Sequence, residues 1–156
     1  MSTKPALLVE VRTDEGVVGI GEASHFGGPV ISTKVAIEEE LKNHILGENP
    51  LHVERLWERM HQRSYKHGRG GLIIAAISSI DIALWDIKGK VAGLPVYKLL
   101  GGYSNMIPAY ATGGFYAEGH GLRELVEEME GYTRRGFKGV KMKVGRNSCE
   151  YTDSWV

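Results

Sequence analysis

The chain has 156 residues, of which 42% are apolar and 24% charged, and its 19 basic and 19 acidic residues leave zero net charge at pH 7. This composition is typical of one soluble globular domain and excludes a disordered chain, and two full domains are not expected at this length. Zero net charge gives no electrostatic reason to expect a nucleic acid or an anionic membrane as a partner.

Targeting signals and metal-binding motifs are not apparent in the sequence. The first residues lack the apolar core of a signal peptide, and no stretch approaches ~18 uninterrupted apolar residues, so we expect a cytoplasmic location. Cys149 is the only cysteine, which excludes an internal disulfide and a thiolate metal cluster within one chain. The six histidines lack the spacing of a zinc site, and we interpret most of them as surface or capping residues.

The first predicted element is a β-hairpin. Residues 7–12 alternate apolar and outward-facing side chains, residues 13–16 form a turn, and residues 17–23 form the second strand. Gly19 and Gly21 superficially resemble a phosphate-binding loop. The third glycine of that motif is missing and a loop follows rather than a helix, so we discount a nucleotide site.

Helices are predicted from residue 32 to residue 100. After a loop at residues 24–30, Ser32 or Thr33 caps a helix that Gly47 ends, and a second, amphipathic helix opens after Pro50. Residues 71–91 form a helix that is apolar nearly all round, which is typical of a helix enclosed on several sides. A short helical turn covers residues 96–100. The glycine pair at 101–102 then predicts a domain boundary.

The periodicity changes after this boundary. Residues 107–111 are predicted to form a strand, the apolar stripe of residues 122–129 a helix, and residues 139–144 a second strand. One strand, helix and strand in this order predict a βαβ unit with parallel strands and a right-handed crossover.

Two lysines lie on the second of these strands. Lys141 and Lys143 share one face because side chains alternate along a strand, while Val140, Met142 and Val144 share the other face and are expected to meet the helix. Repulsion between two ammonium groups about 7 Å apart favours the loss of one proton, so one lysine could act as a base. Spacing alone slightly favours the alternative of an edge strand with two solvated lysines that prevent aggregation.

A longer motif lies in the predicted central helix. Residues 76–90, Ala-Ile-Ser-Ser-Ile-Asp-Ile-Ala-Leu-Trp-Asp-Ile-Lys-Gly-Lys, are followed by Pro-Val-Tyr-Lys-Leu-Leu-Gly at residues 95–101. This pattern resembles the capping domain of the mandelate racemase and muconate lactonizing enzyme branch of the enolase superfamily. Residues 7–23 resemble the capping hairpin, and residues 139–145 resemble the Lys-x-Lys strand of the barrel. The resemblance implies an α+β capping domain followed by the beginning of an α/β, TIM-type barrel.

The resemblance also implies a chemistry, namely Mg²⁺-assisted removal of the proton α to a carboxylate. Lys143 would be the base, and Lys141 would favour its neutral form and help to hold the carboxylate or sugar-acid substrate. His25 and Phe26, in a loop that closes over the barrel mouth, would be candidate substrate contacts, with an ordinary surface loop as the alternative. Asp81 and Asp86 would be structural carboxylates with hydrogen-bonding or basic partners inside the capping layer.

We expect three parts in this chain: the capping domain at 1–102 with its first strand missing, the first βαβ unit of a barrel at 103–147, and an atypical tail at 148–156. A complete barrel needs roughly 250 residues, and the family's three carboxylate metal ligands would lie beyond the chain. We therefore expect that the chain comes from a truncated or frameshifted reading frame or is a deliberately prepared fragment. In each case we expect the chain to bind no Mg²⁺ tightly and to be inactive by itself.

Two functions follow as expectations. The first is part of an acid-sugar dehydratase, racemase or cycloisomerase, with dehydratase preferred. The alternative is a fragment without catalysis that acts as an assembly module, because open strand edges and helix faces seek a partner. A homo-oligomer is expected in either case.

Overall fold

The computed structural model describes residues 5–23 and 30–145. It divides into two compact units, Met1–Tyr103 and Ser104–Val156, and the predicted boundary at Gly102 lies next to this division. The predicted tail at 148–156 lies outside the described residues, as does the loop at 24–29. None of the helices in the described part of the chain is both long enough and apolar enough to cross a membrane.

The first unit opens with the predicted hairpin. Strand β1 (Leu7–Arg12) pairs antiparallel with strand β2 (Val18–Ala23). The turn needs Gly16 because its φ of +83° lies in the region that side chains rarely adopt. The Thr13 hydroxyl accepts a hydrogen bond from the Val17 N–H at 2.9 Å, which satisfies a donor that the turn leaves unpaired.

Helices follow the hairpin and cover one of its faces. They are α1 (Val30–Val35), a π-helical turn (Ala36–Glu40), a 3₁₀ turn (Leu41–His44), α2 (Val53–Arg63), a second 3₁₀ turn (Tyr65–His67), α3 (Gly71–Ala92) and α4 (Val96–Leu99). The first predicted helix is thus irregular after Val35, and its last turn ends at His44 rather than at Gly47.

Helix α3 lies at the centre of the first unit. Its buried residues pack with Leu41 and with the apolar stripe of α2, which includes Leu56 and Met60, and alternate residues of β1 cover the same cluster. The helix is apolar on most sides because it meets the hairpin on one face and α2 on another. It ends at Gly93, whose left-handed φ of +63° lets the Leu94 N–H reach the Gly89 carbonyl.

The two glycines of β2 allow the hairpin to approach α3 very closely. A Cβ atom built on Gly21 would lie 1.9 Å from the Ser79 carbonyl oxygen, and one built on Gly19 would lie 2.0 Å from the Ala83 carbonyl oxygen. These are overlaps with helix backbone, which cannot move aside as a flexible side chain can. The glycine pattern therefore serves backbone packing in a domain core.

Asp86 joins the hairpin to α3. Its carboxylate accepts a hydrogen bond from the Ile20 N–H at 2.9 Å and one from the Lys90 ammonium at 2.7 Å, and Lys90 also donates to the Val18 carbonyl. The bond from Lys90, followed by the bond from Ile20, lowers the pKa of Asp86. The expected structural role of this carboxylate agrees with these contacts.

Asp81, one turn earlier on α3, has a different environment. No hydrogen bond or ion pair joins it to any other described residue, so the partner expected for it is not found there. Partial burial without a partner raises its pKa because the charged form loses solvation. The charge of Asp81 therefore disfavours the folded state slightly, whereas that of Asp86 stabilises it.

The second unit contains strand β3 (Ala111–Gly113), helix α5 (Leu122–Arg134) and strand β4 (Val140–Met142). The two strands pair in parallel, and α5 contacts both of them. The first strand lies at 111–113 rather than at the predicted 107–111, and β4 is shorter than the predicted 139–144. The predicted strand at 107–111 begins at Ile107, whose side chain is 86% exposed. This apolar side chain therefore has no packing partner that would favour a strand there.

We expect Gly21→Ala to lower the free energy of unfolding of the first unit by about 3 kcal/mol, because the new methyl group overlaps the α3 backbone. Chemical denaturation followed by circular dichroism measures the change. Gly70→Ala is the matched control, since its backbone is extended and nothing lies within 4 Å of the new atom. Equal stability of the two variants would contradict the proposed packing.

Two isosteric substitutions on α3 should act in opposite directions at pH 7. Asp86→Asn should lower the melting temperature and Asp81→Asn should raise it. The folded-state pKa of Asp86 is below the ordinary 3.8, so its contribution is present above that value and is lost as the pH falls through the lowered pKa. For Asp81 the pKa is raised, so its penalty applies above that pKa and disappears as the pH falls towards 3.8.

Thermal melts between pH 7 and pH 3 measure both differences, which should be about 1 kcal/mol or less because both carboxylates are partly exposed. A destabilised Asp81→Asn variant at pH 7 would show that this carboxylate has a favourable partner.

Candidate active site

The candidate site is built on the second unit, where β3 and β4 lie side by side. Thr112 is the register partner of Lys141, and Gly113 that of Met142. Parallel strands place their carboxyl ends at the same edge, so the residues that follow β3 and β4 emerge together. Those residues are Gly114 and Phe115 after the first strand and Lys143 after the second.

The two faces of β4 differ in what they meet. A Cβ atom built on Gly114 would lie 2.8 Å from the Met142 Cβ and 2.9 Å from a Leu125 methyl carbon, so Met142 lies on the side where α5 packs. Lys141 precedes Met142 and therefore points to the opposite face. Every residue of β4 is nevertheless exposed, and both lysines are exposed in the described structure.

Lys143 lies near an aromatic ring at the end of the neighbouring strand. Its ammonium nitrogen is 5.8 Å from the centre of the Phe115 ring, within the range of a cation–π contact. The contact holds the lysine at the carboxyl edge of the strand pair. Sequence reasoning missed Phe115, because only the parallel register brings this ring next to Lys143.

The turn after β3 is attached to α5 by one carboxylate. Glu128 accepts a hydrogen bond from the Gly114 N–H at 3.1 Å and one from the Tyr132 hydroxyl at 2.8 Å. The hydrogen bond to Glu128 is the main reason that the pKa of Tyr132 is raised. A side chain at position 113 would collide with both Glu128 and Tyr132, so Gly113 is needed for this arrangement.

Sequence reasoning missed the pair of Glu128 and Tyr132 as well. Their spacing of four residues on a helix was a usable signal, since such residues are neighbours on the helix surface. Their role in holding the turn after β3 could not be inferred, because it depends on how α5 packs on the strands.

The remaining sequence-based candidates are not residues of the second unit. His25 and Phe26 lie outside the described residues. Asp86 belongs to the attachment of the hairpin in the first unit, and Asp81 lies on the same helix.

The described residues do not offer a metal site. No group of three or more histidine, cysteine, aspartate or glutamate side chains lies together anywhere in residues 5–23 and 30–145. Magnesium prefers oxygen ligands, with one or two carboxylates in most protein sites. The carboxylate of Glu128, on α5, already accepts hydrogen bonds from Gly114 and Tyr132.

Comparisons with known proteins agree on one family. Residues 1–101 match the model of the N-terminal domain of mandelate racemase and muconate lactonizing enzyme. An arabinonate dehydratase of Saccharolobus solfataricus is 44% identical over 141 residues, and a 3,6-anhydro-alpha-L-galactonate cycloisomerase of Streptomyces coelicolor is 37% identical over 142 residues. Each alignment covers 90% of this chain and 38% of the relative.

Solved structures give the same result. A racemase from Streptomyces coelicolor with bound magnesium superposes with a TM-score of 0.83 at 32% identity, and the match covers 91% of this chain and 39% of the racemase. A 3,6-anhydro-D-galactonate cycloisomerase from Zobellia galactanivorans superposes with a TM-score of 0.79 at 43% identity. The chain thus spans less than two fifths of the length of these relatives.

Proposed function

Because the chain belongs to the mandelate racemase and muconate lactonizing enzyme family of the enolase superfamily, we propose that it forms the N-terminal part of an enzyme that removes the proton α to a carboxylate. The observation that carries the proposal is the Lys-x-Lys pair at the end of β4, with Lys141 on the strand, on the face opposite α5, and Lys143 directly after it at the carboxyl edge. In barrel enzymes that edge is where catalysis takes place.

Lys143 is the proposed base. Its neutral amine would accept the proton from the α carbon, so that the C–H bond breaks, an N–H bond forms, and the electron pair moves into the carboxylate to give an enediolate. The Lys141 ammonium lies two residues earlier on the strand, where its positive charge would favour the neutral form of Lys143 and would attract the substrate carboxylate. The ring of Phe115 would position Lys143 at the edge.

The relatives of this chain support one class of substrate. Relatives that align over nine tenths of this chain are an arabinonate dehydratase and a cycloisomerase of an anhydrosugar acid. We therefore propose a sugar acid as the substrate and dehydration as the reaction. Racemisation and cycloisomerisation use the same initial proton transfer.

Magnesium does not fit the described residues, which contain no suitable group of carboxylates. The proposed enzyme would therefore hold the ion with residues other than these, and we assign no step of the reaction to it. In this proposal the 156-residue chain neither binds Mg²⁺ tightly nor turns over substrate by itself.

A chimera tests the role of Lys143. The matching N-terminal part of the arabinonate dehydratase would be replaced by residues 1–145 of this chain, and the measurements would be dehydration and α-proton exchange in deuterated water. The chimera should be active, and Lys143→Ala should lower kcat by roughly a hundredfold or more, as loss of a general base does.

Lys138→Ala is the control for that experiment, because Lys138 is an exposed lysine that precedes β4. It should leave kcat unchanged. Full exchange activity in a folded Lys143→Ala chimera would refute the assignment of the base.

A second candidate function is an assembly module without catalysis. It is favoured by the large apolar side chains that the second unit leaves in solvent, such as Ile107 at 86% and Val144 at 79% exposure. Two parallel strands with one helix also leave a sheet face uncovered, and parallel sheets are normally covered on both faces. In this case the chain would form homo-oligomers through the second unit.

Self-association should then depend on concentration in sedimentation velocity experiments, and Val144→Glu should weaken it by placing a charge on the apolar surface. Ile31→Glu, an equally drastic change at an exposed position of α1, is the control and should have no effect. A monomer at all concentrations with one cooperative melt would contradict the assembly module.

A further inference from the structure

Glu128 differs from the acidic residues beside it on α5. Glu127 and Glu130 each form an ion pair with an arginine four residues away on the helix, and their side chains are 63% and 62% exposed. Glu128 is partly buried, and its two carboxylate oxygens accept separate hydrogen bonds from the Gly114 N–H and the Tyr132 hydroxyl. This carboxylate therefore restrains the turn after β3 and not the surface of the helix.

Gly114 is the residue at which the chain leaves β3. Its φ of +63° lies in the left-handed region, and the residue is buried, so its N–H needs a partner inside the protein. The Glu128 carboxylate is that partner, and a hydrogen bond to a charged acceptor is stronger than one to a neutral acceptor. Glu128 thereby fixes the direction in which the chain continues to Phe115.

Phe115 carries this restraint to the lysine. Its ring centre lies 5.8 Å from the Lys143 ammonium nitrogen, within the range of a cation–π contact. The side chain of Phe115 is 59% exposed, so packing alone does little to hold the ring. Its position depends on the backbone at Gly114, and a change in that backbone would move the ring away from Lys143.

We propose that Glu128 is a positioning residue, which holds Lys143 at the carboxyl edge of the strand pair through Gly114 and Phe115. Tyr132 supports it, because its hydroxyl holds the second carboxylate oxygen and its ring packs edge-on against Phe137, with the ring centres 6.3 Å apart. Glu128 itself contacts neither the base nor the substrate. Its role in catalysis rests on the proposed function of Lys143, whereas the contacts that place the lysine lie within this chain.

Chemical labelling of the full chain tests these contacts without catalysis. Acetic anhydride acetylates neutral amines, and mass spectrometry gives the rate at Lys143 relative to the exposed Lys138. The ring favours the ammonium form, which does not react, so Phe115→Ala and Glu128→Ala should each raise the relative rate at Lys143 roughly threefold, as expected for the loss of an exposed cation–π contact.

A double variant shows whether Glu128 acts through the ring. If it does, Glu128→Ala should have no further effect on Lys143 labelling once Phe115→Ala is present, because two members of one pathway are not additive. Additive effects would mean that Glu128 supports the unit only in general, and they would overturn the proposal.

Matched variants of α5 serve as controls. Glu127→Ala removes a solvated ion pair from the same helix and should leave Lys143 labelling unchanged. Glu128→Gln should also label like the parent chain, since its amide oxygen accepts from Gly114 and its amide nitrogen donates to the Tyr132 hydroxyl. Faster labelling in Glu128→Gln, equal to that in Glu128→Ala, would overturn the proposal.

Tyr132→Phe replaces Glu128→Ala in the labelling experiments if the latter variant does not fold, as judged by circular dichroism. It keeps the ring beside Phe137 and removes only the hydroxyl that holds the carboxylate. Labelling of Lys143 should again be faster than in the parent chain. Equal labelling would overturn the proposal.

The chimera with the arabinonate dehydratase gives the effect on catalysis. Lys143 gains a positive charge as it accepts the α-proton, and the ring stabilises that charge. Glu128→Ala should therefore lower kcat for α-proton exchange roughly threefold with KM unchanged, and Glu128→Gln should restore it. A higher KM with unchanged kcat would overturn the positioning role.

Failure of the base and failure of its positioning are distinguishable. Exchange that survives Lys143→Ala would refute the base, while faster labelling in Glu128→Ala would still support the attachment of Lys143 through Glu128. Unchanged labelling in Glu128→Ala, together with exchange that Lys143→Ala abolishes, would keep the base and overturn the role of Glu128.

Discussion

The first unit depends on the direct contact between the backbone of β2 and the backbone of α3. Gly19 and Gly21 leave no side chain between the strand and the helix, and any Cβ at these positions would overlap the carbonyl oxygens of Ser79 and Ala83. This contact brings the Ile20 N–H within reach of Asp86, so a polar attachment becomes possible beside the apolar core. It also sets the distance between the hairpin and α3.

The second unit is organised differently, because few of its side chains are buried. Its strands are held by their parallel pairing and by α5, and one carboxylate, Glu128, holds the turn after β3 through Gly114 and Tyr132. Lys141 is placed by the alternation of β4, Lys143 directly follows that strand, and both side chains are exposed in the described structure. The pKa of a catalytic base is shifted by low-dielectric surroundings or by nearby charges. The proposed enzyme would supply these from the remainder of a barrel.

Much of the fold could be predicted from sequence, and the comparisons confirm the α+β capping domain followed by the start of a barrel. Strand β1 and helix α3 were predicted within one residue at each end, because β1 alternates apolar and outward-facing side chains throughout and α3 is a long apolar run bounded by Gly71 and Gly93. The first strand of the second unit was placed too early, since residues 107–111 have strand-forming side chains that find no packing partner. The roles of Phe115, Glu128 and Gly113 depend on contacts across elements and could not be read from local pattern.

The π-helical turn at Ala36–Glu40 has a consequence for how this domain can change in length. Such a turn usually accommodates one residue more than a regular helix would. Leu41, fully buried directly after it, and Ile37 within it both belong to the core. Removal of one residue here would give a regular helix and leave Leu41 on nearly the same side as Ile37, because four residues of a π-helix and three of a regular helix both span just under one turn. The segment can therefore lose this one residue and keep Leu41 in the core, whereas a second deletion would rotate Leu41 away from it by about 100°.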